Sequence, residues 1–117
     1  MSHIPTLEEW NWHVLMLGQA LIGAISKNIR MVSLKFSEKS WIIETVLEHE
    51  NDEDSEEMND VADDLLTYIE GVRDQISDAS YKKVTSVCMV SKEDLLIKHV
   101  ENCRVVFKRK EPTFNIS

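Results

Sequence analysis

Apolar residues recur at steps of three and four in two stretches of the chain and alternate with polar ones in much of the rest. The first helical stretch is PTLEEWNWHVLMLGQALIGAI. Leu7, Trp10, Val14, Leu17 and Leu21 form one row, and Trp12, Leu15, Met16 and Ile22 form a second beside it. Thr6 and Glu9 stand at capping-box spacing, in which each side chain accepts from the other's backbone N–H. Gly23 and Ser26 to Asn28 close the helix. With apolar residues around most of its girth, it is expected to be buried on two sides, or on one side in the fold and the other in an interface.

IRMVSLKF and WIIETVLEH read as strands. In the first, Arg30, Val32, Leu34 and Phe36 are expected on one face, with Ile29, Met31, Ser33 and Lys35 on the other. The polar SEKS between them has the length of a hairpin loop. Next comes the second helical period: Met58, Val61, Ala62, Leu65, Ile69, Val72 and Ile76. It predicts a helix from about Glu53 to Arg73, with Asp54 and Glu57 as a capping pair and Gly71 weakening the last turn.

YKKVTSVCMVS predicts a third strand. KEDLLIKHVEN reads either as a single helical turn or as a loop anchored by Leu95, Leu96 and Val100. CRVVFKRKE predicts a fourth strand, with Val105 and Phe107 on one face and Arg104, Val106, Lys108 and Lys110 on the other. PTFNIS, residues 112–117, reads as a tail. The order α-β-β-α-β-β predicts an α+β fold: a four-stranded, mainly antiparallel sheet with helices packed on one face. One domain over residues 1–117 is expected, with an ordered core of about 6–111.

Composition changes this picture in one place. At 43% apolar and 29% charged residues, the 117-residue chain has the make-up of a globular protein, without repeats. Its net charge of −8 is very uneven. EHENDEDSEEMNDVADD, residues 48–64, holds ten carboxylates and no lysine or arginine, so the remainder sums to −8 minus −10, or +2. Binding to nucleic-acid phosphates needs a basic patch, and anionic membranes need one too, so neither is an expected partner. The opening MSHIPTLEEW has no basic segment before an apolar one. Val14 to Ile25 contains Gln19 and is too short to span a bilayer. A cytoplasmic protein is expected, with Cys88 and Cys103 as free, mostly buried thiols; a bridge between them stays open if they lie on neighbouring strands.

Catalytic signatures are missing. Glycines stand only at 18, 23 and 71, which excludes a glycine-rich phosphate loop, and no serine sits in a G-x-S-x-G elbow. His3, His13, His49 and His99 are scattered. His99 and Cys103 lie four apart, but no orienting group or oxyanion hole accompanies them. A calcium loop beginning at Asp52 would need glycine where Glu57 stands and glutamate where Asp63 stands. No catalytic residue, metal or cofactor is therefore expected.

Two readings remain for the acidic helix. It is a solvated face that keeps the protein soluble, or a surface for a cationic partner. Glu53, Glu56, Glu57, Asp60, Asp63 and Asp64 have no interleaved cations, and their mutual repulsion favours the second reading. Trp10 and Trp12, two apart, point to different helix faces: both pack in the core, or one anchors an interface.

ALIGAISKNIRMVSLKF after a short helix, the strand running into an acidic helix in WIIETVLEHENDEDSEEMNDVADDLLTYIEGV, and the closing RVVFKRKE together form a pattern. Over about residues 6–111 it resembles small bacterial immunity proteins of contact-dependent growth inhibition (CdiI-type) and related polymorphic toxin systems. The resemblance implies a cytoplasmic, non-catalytic protein that binds the toxic C-terminal domain of a delivered toxin, often a nuclease. A nuclease holds phosphates in a basic cleft, which an acidic helix can occupy. The expected contacts are Asp52, Glu53, Glu56, Glu57, Asp60, Asp63 and Asp64, with Tyr68 or an exposed helix-one aromatic such as Trp12 as anchor. The alternative is a protein-interaction or adaptor module that forms a homodimer through the first helix.

Overall fold

The computed structural model describes residues 5–72, 83–95 and 102–111. Expectations for Arg73 and Ile76, for Tyr81 and Lys82, for Leu96, His99 and Val100, and for the 112–117 tail lie outside them. Helix α1 spans Leu7–Ala20, strand β1 Ile29–Ser37, β2 Ser40–Leu47, helix α2 Asp52–Gly71, β3 Lys83–Val90 and β4 Cys103–Lys108. This is the expected α-β-β-α-β-β order, and the fold is α+β.

The strands lie side by side as β3-β2-β1-β4. β1 pairs antiparallel with β2 and with β4, while β2 and β3 are parallel. The sheet is thus mixed but largely antiparallel. A parallel neighbour requires a long crossover, and α2 lies between β2 and β3 in the chain. α2 packs chiefly on β3, and α1 packs on α2 and β4.

Local chemistry sets the ends of these elements. Thr6 and Glu9 form the reciprocal capping box, both bonds at 3.1 Å, so α1 starts where expected. α2 begins one residue earlier than read, because Asn51 and not Asp54 is its cap; the Asn51 side chain accepts from the Asp54 N–H at 3.0 Å. The hairpin loop is two residues, Glu38 and Lys39, both at positive φ (50° and 62°). That matches a primed turn, whose twist suits paired strands. Neither residue is Asn or Gly, so each costs about 1 kcal/mol, offset by the pairing it closes.

The core lies between the helices and one face of the sheet. Val32, Leu34, Phe36, Trp41 and Ile43 from the hairpin meet Trp10 and Leu17 of α1 and Met58, Val61, Leu65 and Ile69 of α2. Burying each large side chain contributes about 1.5–3 kcal/mol. Trp41 is fully buried at the centre: His13 stacks on it at 4.1 Å, while Trp10 and Phe36 meet it edge-on at 4.9 Å. α1 is not buried on two sides. Its Trp10, His13, Leu17 and Ala20 are buried, but Leu7, Leu15 and Ile22 of the expected apolar rows are exposed.

Two bulges overturn the expected strand faces. Between Ile29 and Met31 the register of β1 shifts, so Ile29 faces Leu47 and joins the core, while Arg30 leaves it for a network of charges. In β4, Ser33 pairs with Val105 and Val32 with Phe107, so Val106 is an extra residue. Val105 and Phe107 therefore lie on opposite faces. Arg104, opposite Leu34, points to the helix side, where its guanidinium lies 4.5 Å from the centre of the Trp10 ring. Cys88 and Cys103 are both free and half-buried, on the two edge strands. Three strand spacings, about 14 Å, separate those strands, which excludes the bridge.

Candidate partner-binding surface

α2 is locked to the sheet at its start. Asn28 donates to the His49 carbonyl and accepts from the His49 N–H, both at 2.8 Å, and it also donates to Asp54 at 2.9 Å. Asp54, inside the first turn, is buried by this contact. The clamp fixes the rotation of the helix, turning Met58, Val61, Ala62, Leu65 and Ile69 inward. The opposite side carries Asp52, Glu53, Glu56, Glu57, Asp60, Asp63 and Asp64, all exposed.

The ten carboxylates of residues 48–64 are thus not equivalent. Asp54 serves the clamp, and Glu48 accepts from Arg109 at 3.1 Å with His49 3.3 Å away. Among the described residues, no lysine or arginine pairs with the exposed acids of α2. The candidate calcium loop is itself helix, so its side chains radiate around the axis instead of converging on one point. Among the described residues, no group of three or more His, Cys, Asp or Glu is placed to hold a metal ion. No described helix is long and apolar enough to cross a membrane.

The two expected anchors differ in setting. Tyr68 follows Asp64 by one turn on the same side of α2, and half of it packs on the core. Trp12 is half-buried on α1 and meets His13 edge-on at 4.9 Å. His13 itself is buried. Its Nδ1–H donates to the Glu9 carbonyl at 2.6 Å, its Nε2 has no partner among the described residues, and burial pushes its pKa below the usual 6.5.

A second charged constellation went unread in the sequence. Arg30, buried in a central strand, grips both Glu111 oxygens at 2.6–2.7 Å and donates to the carbonyls of Ser91 and Glu93. Arg109 bridges Glu111 and Glu48 and reaches the Lys27 carbonyl. The two guanidiniums hold the Glu111 carboxyl down at about 2. An arginine inside the apolar run IRMVSLKF signals a buried charge that needs a partner, but not which one. Together with His49, Lys92 and Asp94 these residues line a cleft of about 420 Å³. Arg30 and Arg109 are already matched there by Glu48 and Glu111.

Comparison with known proteins bears on the chain as a whole. Residues 10–111 match the family model described as MafI2 immunity protein. That span covers both helices and all four strands except the first turn of α1. A search of curated proteins finds no match to the chain.

Proposed function

The chain belongs to the MafI2 immunity protein family, whose function is immunity against a toxin, and from that premise we propose that it neutralises a nuclease toxin by presenting the acidic face of α2. The partner is the toxic C-terminal domain of a contact-dependent growth inhibition or related polymorphic toxin, met in the cytoplasm and bound stoichiometrically without catalysis. The observation that supports this reading most directly is the exposed row Asp52, Glu53, Glu56, Glu57, Asp60, Asp63 and Asp64, with which no lysine or arginine among the described residues pairs. Self-repulsion along a helix lowers stability, and a basic cleft would relieve it on binding. Tyr68 and Trp12, each partly exposed, flank the helical layer as aromatic anchors.

The test is the quadruple variant Glu56→Gln, Glu57→Gln, Asp60→Asn, Asp64→Asn, titrated against the cognate toxic domain. Association should slow at least about tenfold, and the salt dependence of affinity should flatten. Unchanged affinity and unchanged salt dependence would exclude the acidic face as the interface. A second reading draws on Leu7 and Leu15, exposed along α1, and on Ile22 just beyond its end: an adaptor that dimerises through this helix. It predicts dimers in light scattering with no toxin present.

A further inference from the structure

The two edges of the sheet are unlike. β4 carries Arg104 and Lys108 and contains a bulge, devices that discourage pairing with another strand. β3 has no bulge, and its one charge, Lys83, stands at its first residue. From Val84 to Val90 it reads VTSVCMV, without charge, proline or glycine, and its register with β2 runs unbroken over eight residues. Val87, Met89 and Val90 are 46%, 41% and 51% exposed, far more than large apolar residues in a covered strand.

The direction of the free hydrogen-bonding groups follows from one contact. Just past the strand, the Ser91 N–H donates to the Leu47 carbonyl of β2. Backbone groups alternate sides along a strand, so Thr85, Val87 and Met89 also face β2. Val84, Ser86, Cys88 and Val90 then aim their N–H and C=O groups outward. Among the described residues, no strand pairs with that row.

We propose that β3 is the docking strand for the toxin, its free edge pairing with an extended toxin segment rich in lysine or arginine that the carboxylates of α2 receive. This deepens the toxin-binding reading above and rests on it. Charge decides between occupants. α2 lies over β3, so whatever pairs with this edge enters beside the acidic helix. A second copy pairing edge to edge would bring two such helices together and set carboxylates against carboxylates. A cationic strand gains there instead: main-chain bonds supply affinity, and the apolar Val87 and Met89 supply side-chain contacts.

Two variants separate the edge from the rest of the surface. Val90→Pro deletes an outward N–H without touching the bonds to β2. Val87→Lys adds a charge to the strand, the device that β4 already uses. Leu15→Lys, on the exposed side of α1, is the control. With the full chain and the cognate toxic domain, calorimetric titration should show each β3 variant binding at least about tenfold more weakly. Leu15→Lys should bind as the wild type does, with unfolding temperatures alike. If Val90→Pro does not fold, Val87→Lys decides. Wild-type affinity in the folded β3 variants overturns the edge proposal and leaves toxin binding standing. A wild-type chain that ignores the toxin overturns both. Dimers in the absence of toxin, abolished by Val87→Lys, would assign the edge to a second copy and overturn the proposal.

Discussion

At one end of the sheet, Arg30 and Arg109 hold Glu48 and Glu111 in a network of matched charges, while along α2 the carboxylates face water with no described cation beside them. Both regions are dense in charge, and Glu48 stands only four residues before α2. The difference lies in what each charge is matched by. In the network, every carboxylate has a guanidinium and Arg30 also satisfies two backbone carbonyls, so the charges fasten β1 to the ends of β3 and β4. On α2 the acids leave potential unspent. One region uses charge to hold the fold, and the other is available to something outside it.

The contrast breaks most sharply at Arg30. Arg30→Ala leaves the Ser91 and Glu93 carbonyls without this donor and Glu111 with Arg109 alone, and should cost roughly 3 kcal/mol. Urea unfolding followed by circular dichroism measures this loss; an effect near zero would mean the network is ornamental.

Acid is the next lever. Glu111 has a depressed pKa, so the unfolded chain takes up its proton first. The stability it lends is complete above about pH 4.5 and drains away as pH falls toward about 2. His13 acts in the same direction at higher pH. Burial keeps it neutral, and below about pH 6.5 the unfolded state gains the proton that the native state refuses. The urea midpoint should therefore decline from pH 7 downward in two stages. Glu111→Gln should flatten only the acid stage, and His13→Gln only the upper one.

The smallest effect carries the opposite sign. Neutralising Glu56, Glu57, Asp60 and Asp64 together removes like-charge pairs at helical spacing, and should stabilise the free protein by about 0.5–1 kcal/mol. Sodium chloride should raise the wild type's melting temperature and move the variant's less. An amide substitution that weakens the fold in the network but strengthens it on α2 is the signature of charge held in reserve. The same four changes are those expected to weaken capture of the toxin.

The strand-helix order was legible because its signals are local. The three- and four-residue period of Met58, Val61, Leu65 and Ile69 marks the inward face of α2 wherever that helix packs, and with it the acidic outward face. Thr6 and Glu9 cap α1 through neighbours three residues apart. Hence the candidate contacts from Asp52 to Asp64 could be placed on one exposed side from the sequence. The inward turn of Asp54 could not, since it depends on Asn28, far back in the chain.

What only the tertiary structure decided involves contacts between distant residues. Alternation in VTSVCMV predicts a strand, but nothing within it says that it runs parallel to β2 or stands at a bare edge. The bulges at Arg30 and Val106 reverse faces that strict alternation assigns, and Arg30 meets Glu111 across 81 positions. Such pairings become favourable only once a shared core offsets the entropy of closing long loops, so no window of sequence records them. The sequence by itself determined which elements form and where the charge lies. The packed sheet decided which charges are matched and which edge remains open.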